Sequence, residues 1–394
     1  MSPRALLFVT VFNSILGLSV LFPILAPLGR SLDLSEVQIG SLSATYALMQ
    51  FVLSPYWGRR SERVGRKPVI LIGVLGFAAA FFLFGAVAHF GLRGALGPGP
   101  VFAGLLVARV IGGAFSSATL PTAQAYIADT TERADRTAGM ALVGAAFGLG
   151  IVFGPAIGAL LAGLSLLAPV YFSAGFALLN AVFVWLFLPD TTRRVLDAPK
   201  ASAPALSGRV WPLLTVGFAV TLASVAMEQT VAFYYQDRLS LAPQQTARTV
   251  GAALVCYGVV AVLVQGFIVR RVRWSPLVLL RVGVPIALLG FVGLVLSKDF
   301  WSMTLALSIQ GFGQGLALPG VSAALSLAVD DDEQGAVAGL SSSSSALGRM
   351  LGPLAGAGLY QLHPTYPYMF SAGLLGVVLV VLILGARRTL APSR

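Results

Sequence analysis

Apolar residues in this chain do not alternate with polar ones; they run in long stretches separated by short polar breaks. The stretches fall approximately over 5–28, 38–57, 68–89, 101–127, 138–162, 168–188, 210–235, 250–269, 275–297, 301–328, 336–360 and 367–386. A helix that crosses the hydrocarbon core needs about 20 apolar residues, whereas a membrane strand shows period-two alternation over about 10. The pattern predicts an all-α membrane protein with twelve transmembrane helices. The eighth and ninth stretches are parted only by 270–276. The first stretch is too long for the apolar part of a secretory leader, so it is read as a helix. The longest polar interval, 190–209, contains Pro, Ala and Ser and reads as a cytoplasmic linker. It divides an N-terminal six-helix bundle, 1–189, from a C-terminal one, 210–394.

Composition narrows the class. The 394 residues are 57% apolar and 10% charged, whereas about a quarter of a soluble chain is charged. A net charge of +11 would suggest nucleic acid in a soluble protein. Here the charges are too few to coat such a surface, and their placement is a topology signal. With the N-terminus inside, 18 of the 26 basic residues fall in inner segments, five in outer segments, and Arg109, Arg281 and Arg349 within spans. The positive-inside rule then puts both termini in the cytoplasm. One cysteine, Cys256, and two histidines, His89 and His363, exclude an internal disulfide framework and a Cys/His metal cluster.

The two halves share a motif. Gly150, Gly154, Pro155 and Gly158 in the fifth stretch recur as Gly348, Gly352, Pro353 and Gly356 in the eleventh, 198 positions later. Pro121 and Pro319 match at the same offset. Parallel six-helix repeats of this kind build transporters with a midplane site. Three further segments carry a family resemblance. Gly58, Arg59, Arg60, Ser61, Glu62, Arg63, Val64, Gly65, Arg66 and Lys67 resemble the signature loop of the major facilitator superfamily. Segment 105–113, with Arg109, resembles its fourth-span pattern, and the glycine–proline run resembles the antiporter signature of its twelve-helix drug:proton branch. Residues 126–129 with 147–158 look especially like tetracycline-efflux proteins.

The resemblance implies two pseudo-symmetric bundles, a bacterial cytoplasmic (inner) membrane location and export driven by protons. It implies a role in proton transfer for Arg109. It also implies gating roles for Gly58, Glu62, Arg63, Gly65, Arg66, Asp129, Gly150, Gly154, Pro155 and Gly158. Two departures stand out: Glu62 replaces the usual Asp of the loop, and Asn13 and Ser14 stand where those efflux proteins carry a first-span carboxylate. Coupling through a first-span acid therefore does not carry over.

Of the 15 acids, 14 fall in loops, and Glu228 alone lies well inside a span. An ionised carboxylate there costs ~2.5–3.5 kcal/mol on insertion scales, so such residues mark proton or ion sites. Glu228 is the candidate proton-coupling acid, cation anchor, or both; the alternative is a helix–helix hydrogen bond. Bland readings stand beside the others: Arg109 capping carbonyls, Arg281 snorkelling, and Arg349 holding backbone carbonyls. Glu62 with Arg63, Arg66 and Lys67 reads as a cytoplasmic charge latch. Asn13, Gln124, Gln229, Tyr234, Tyr257, Gln310, Gln314, Ser343 and Arg349 are candidate cavity residues. Tyr234 and Tyr235 are equally read as an interfacial belt.

A mainly apolar cavity with amides, hydroxyls and one acid suits amphiphilic molecules, cationic ones among them. No Gly-x-x-x-x-Gly-Lys-Ser/Thr loop supports ATP as the drive, and no catalytic constellation supports an enzyme. The expectation is a monomeric proton antiporter in the lipid bilayer for small amphiphiles, with no cofactor beyond the proton gradient and no nucleic acid. Export of an endogenous siderophore, lipid or sugar, inward symport, and a non-transporting receptor remain alternatives. The acidic run Asp330, Asp331, Asp332, Glu333 suits a helix N-terminus and a second cytoplasmic latch. Reversing its four charges is expected to shift the inward/outward balance in spin-label distance measurements; an unaltered distribution removes the latch.

Overall fold

A computed structural model describes residues 2–130, 136–190, 210–272, 274–330 and 333–389. Among them regular structure is helical throughout. The first apolar stretch forms α1 (Pro3–Ser19) and α2 (Leu25–Arg30), followed by α3 (Glu36–Val64) and α4 (Arg66–Leu92). The fourth stretch forms α5 (Pro98–Ser116) and α6 (Thr119–Thr130); α7 (Arg136–Ala162) and α8 (Ala168–Phe187) follow. Then come α9 (Val210–Leu239) and α10 (Pro243–Leu263), with a π-turn (Val264–Ile268) leading into α11 (Val269–Val272). The chain continues with α12 (Pro276–Leu296), α13 (Phe300–Leu327), α14 (Gln334–Leu362) and α15 (Tyr366–Thr389).

Among the described residues, eight helical rods are long and apolar enough to cross a membrane, and α1 is a shorter apolar helix. Helices α3, α13 and α14 have the length but fall short in hydropathy. Their deficit has a local cause: α13 carries Gln310 and Gln314, α14 a run of serines, and α3 Gln38, Gln50, Ser41, Ser43 and Ser54.

Prolines and glycines set the breaks. Pro23 interrupts the first stretch, where Leu21 and Phe22 donate three residues back to Leu18 and Ser19. Pro121 cannot join the ladder at Ser117, and the chain steps through Ala118 N–H to Phe115 O before α6. The segment 58–67, expected as a loop, is the end of α3 and the start of α4, with Gly65 alone between them. Gly65 has φ +105°, a conformation that only glycine adopts without strain. Ser35 and Asp299 open α3 and α13 with reciprocal capping boxes.

By internal contacts the chain forms two compact units, Met1–Ala198 with Leu241–Ala252, and Pro199–Ser240 with Ala253–Arg394. The expected linker lies outside the described residues except for Asp190, as do Asp331 and Asp332 of the acidic run. In the first unit α1 packs on α7 and α8, and α4 on α5 and α8. In the second, α9 packs on α14 and α15, and α12 on α13 and α15. The pairings correspond helix for helix.

The repeat explains this correspondence at atomic level. A Cβ on Gly150 would come within 3.1 Å of Leu16 N, and one on Gly348 within 3.1 Å of Leu222 N. At Gly158 it would lie 2.6 Å from Val20 O, and at Gly356 2.6 Å from Ala226 O. Each glycine series thus lays its helix directly on the partner backbone, as small residues do between membrane helices. Large apolar side chains such as Trp185, Leu160, Leu305 and Val377 stay exposed along the helices, as lipid contact requires.

Overpacking costs about 1–3 kcal/mol, more where backbone is struck. Gly154→Val, whose Cβ would collide with Ser19 Oγ and approach Val20 N, is therefore expected to lower the unfolding temperature of the detergent-solubilised protein. Gly144→Ala, which meets nothing within 4 Å, should leave it unchanged or higher.

Candidate functional site

The second unit holds a connected chain of polar groups. Helix α9 supplies Ser224 and Glu228, and α13 supplies Gln310 and Gln314, each pair one turn apart on a shared face. Tyr257 on α10 lies between them because Gly311 lets α13 approach it: a Cβ there would be 2.9 Å from Tyr257 O. The Tyr257 hydroxyl contacts Glu228 Oε1 at 3.4 Å and Gln314 Oε1 more closely. Gln310 Nε2 donates to Ser224 Oγ at 3.2 Å and to Gln314 Oε1 at 3.4 Å. Glu228 and Gln314 are half-buried, Tyr257 and Gln310 buried. Arg349 on α14 lies within electrostatic reach of Glu228.

A phenol has one hydrogen, so it cannot donate to both oxygens at once. With Glu228 ionised, the hydroxyl donates to the carboxylate and Gln314 Oε1 loses it. With Glu228 protonated, the acid donates to the phenol, which donates onward to Gln314. The hydrogen-bond pattern of α13 thus depends on one proton on α9.

The first unit contains a buried cation. Arg109 is 3% exposed, and its guanidinium carbon stands 4.8 Å from the Phe84 ring, 5.6 Å from Tyr46 and 5.9 Å from Phe81. Gly113 brings α5 against Tyr46, whose carbonyl oxygen a Cβ would strike. Gln50 Nε2 donates to Ser116 Oγ at 3.1 Å nearby.

At the α3–α4 junction, Arg66 Nε pairs with Asp129 Oδ2 at 2.9 Å, with the side chains 4% and 8% exposed. Ser61 accepts a second bond from Arg66. The latch expected among Glu62, Arg63, Arg66 and Lys67 takes a different form: Glu62 and Arg63 are exposed, and the acid reached by Arg66 is Asp129 on α6. Nothing lies within 4 Å of a Cβ on Gly58, so space does not require glycine there, whereas Gly65 faces Asp190 Oδ1.

The remaining candidates separate. Tyr234 and Tyr235 are fully buried rather than interfacial. The Tyr234 hydroxyl donates to Leu294 O at 2.9 Å and its ring packs on Tyr368, while Tyr235 bonds Thr304. Gln229 and Ser343 are half-buried in the second unit, Gln124 in the first. Asn13 is buried in the first unit with neither amide atom partnered. Arg281 is exposed in the second turn of α12. The sequence reading passed over Ser224, Tyr46, Gln50 and Ser116. Applying the 198 offset to Gln314 leads to Ser116; the phenylalanine cage has no such marker among 24 Phe.

The sequence matches the Major Facilitator Superfamily profile over residues 7–308 and 287–394. The chain belongs to the major facilitator superfamily. It is similar to the tetracycline resistance protein, class C, of Escherichia coli, at 30% identity over 400 residues covering 98% of this chain and 96% of that one. Multidrug resistance protein 2 of Bacillus subtilis is 26% identical, with coverages of 95% and 92%, and the quinolone resistance protein NorA of Staphylococcus aureus 25%, with 95% of each. The crystal structure of a bacterial homologue of the human lysosomal transporter Spinster, inward-facing and occupied, shares the fold. Its TM-score is 0.80 at 15% identity, over 99% and 98% of the chains. This superfamily member is thus a multi-pass integral membrane transporter of small molecules, not an enzyme, related to drug-efflux proteins.

The buried Arg66–Asp129 pair yields a stability prediction. Removing one partner of such a pair costs about 3–5 kcal/mol, because the other charge is left buried alone. Asp129→Asn is expected to lower the unfolding temperature of the purified transporter clearly, and the double change Arg66→Gln with Asp129→Asn to recover part of the loss. Equal stabilities in a thermal scan would remove the pair from the structural account.

Proposed function

We propose that this transporter exports amphiphilic small molecules, cationic ones among them, by proton antiport with alternating access. The observation that carries the reading is the Glu228–Tyr257–Gln314 arrangement. A carboxylate in the middle of a membrane helix shares a phenol hydrogen with an amide on another helix. A carboxylate that is protonated on one side and meets a cation on the other can exchange the two. In doing so it reassigns the bonds that link α9, α10 and α13. The similarity to tetracycline, quinolone and multidrug resistance proteins supports export and a permissive substrate range.

In this reading twelve helices span a bacterial cytoplasmic membrane, both termini are cytoplasmic, and the protein acts as a monomer without a cofactor. The proton gradient supplies about 2.3 kcal/mol per charge at 100 mV, plus any pH difference. Arg349, within electrostatic reach of Glu228, competes with a cationic substrate for the carboxylate.

In proteoliposomes with an imposed pH gradient, Glu228→Gln is expected to abolish uphill transport of a cationic dye, with a loss of tenfold or more in rate. Tyr257→Phe should slow it less. Unchanged gradient-driven transport in Glu228→Gln excludes Glu228 from coupling. Uptake that follows protons, when the gradient is reversed, excludes antiport.

A further inference from the structure

Arg109 presents a problem that the proton mechanism leaves open. A guanidinium carries five N–H donors and no acceptor, and it is always charged. Here it is almost completely buried, and its Nε–H meets no acceptor. The walls are the rings of Phe84, Tyr46 and Phe81. Ring faces attract a cation but do not replace the hydrogen bonds of five donors. Among the described residues, the group that acts on it electrostatically is Tyr46, a neutral phenol, and not a carboxylate. The ion pairs of this unit among the described residues, Arg30–Glu36 and Arg66–Asp129, lie elsewhere. A buried cation without a counter-charge is strongly unfavourable, so such a site calls for an anion.

The internal repeat points the same way independently. Gly113 and Gly311 are 198 positions apart, and each lays its helix on the carbonyl of a tyrosine, Tyr46 in one unit and Tyr257 in the other. Ser116 and Gln314, at the same separation, stand beside the hydroxyls of those two tyrosines. Tyr46 is therefore the counterpart of Tyr257. Where Tyr257 faces the carboxylate of Glu228, Tyr46 faces the guanidinium of Arg109. The same phenol serves opposite charges in the two units.

We propose that Arg109, with the Tyr46 hydroxyl, forms an anion-binding site in the first unit that takes a singly charged anion. The guanidinium supplies charge-assisted hydrogen bonds, which are the strong ones. The phenol adds a donor, and the rings exclude bulky hydrated ions. The anion is either the acid group of a transported amphiphile or an inorganic ion such as chloride, and the two are separable by experiment.

The full-length protein is purified in detergent, and its thermal unfolding is followed at constant ionic strength. Sodium gluconate, too bulky and hydrated for a ring-walled site, is replaced stepwise by sodium chloride or sodium hexanoate. The expected result is a saturable rise of about 2 °C or more at roughly ten times the half-saturating concentration. The rise should be absent in Arg109→Gln. A response to chloride identifies an inorganic anion; a response to hexanoate alone identifies the acid group of a transported compound. No saturable rise in the unmodified protein overturns the proposal, as does an equal rise in Arg109→Gln. Should that variant fail to fold, Tyr46→Phe keeps the ring wall and removes one donor. Half-saturation is then expected to rise roughly threefold or more, and an unchanged value counts against the site. The measurement involves no pH gradient and no transport, so its outcome is independent of whether Glu228 couples protons.

Discussion

Direct contact between helix backbones, made possible by missing side chains, is the constraint on which the rest of this molecule depends. In a bilayer no hydrophobic gain drives apolar helices together, so association rests on close packing and on hydrogen bonds. Gly150, Gly154 and Gly158 seat α7 on α1, and Gly348, Gly352 and Gly356 seat α14 on α9, against equivalent backbone atoms. The helices that carry Glu228 and Arg349 are the second of these pairs, so the distance between the two charges is set by the glycine contact. Gly113 and Gly311 play the same part for Arg109 and Tyr257. Polar chemistry in this fold is positioned by residues that have no chemistry of their own.

The second organising fact is how the interior handles charge. The surface of the helices is apolar enough for lipid, so each ionic group inside must find its complement within the protein. Arg66 does so conventionally, with Asp129 and Ser61. Glu228 has a phenol and a guanidinium at longer range, a looser arrangement that leaves it free to change state. Arg109, among the described residues, faces aromatic rings, and its Nε–H meets no acceptor. From Arg66 through Glu228 to Arg109, the hydrogen-bond partners among the described residues become fewer and more distant.

Much of this was legible in the sequence because the signals were physical and local. Continuous apolar stretches mark helices wherever the chain lies in lipid, and each of the twelve stretches falls on helix. The motif repeated 198 positions apart marks the two halves as copies of one plan. Glu228 stood out because a carboxylate in such a stretch is rare. The misreadings share a cause: pattern shows which residues are polar or apolar, not which way a side chain points. Tyr234 looked like a cavity or belt residue, but its hydroxyl is consumed by Leu294 O. The loop at 58–67 looked irregular because it is charged, yet one glycine suffices to join two continuous helices. Pairing between distant helices, as in Arg66 with Asp129 or Arg109 with three rings, leaves no trace in spacing along one chain.

The π-turn at Val264–Ile268 has a consequence for how this transporter can vary over generations. Such a turn is one surplus residue absorbed into a helix. It packs tightly, since Gly315 meets Val264 and Ala261 there. Losing a single codon in this stretch would therefore leave an ordinary helix whose two ends keep nearly the same relative facing, whereas the same loss from a regular α-helical stretch would rotate everything beyond it by about 100°. Tyr257 and the basic end at Arg270 and Arg271 would keep their mutual facing after the first loss and not after the second. Reading-frame-preserving deletions are tolerated in loops because nothing downstream is phased to them. Here, in the middle of a hydrophobic rod, one codon is spare in the same sense.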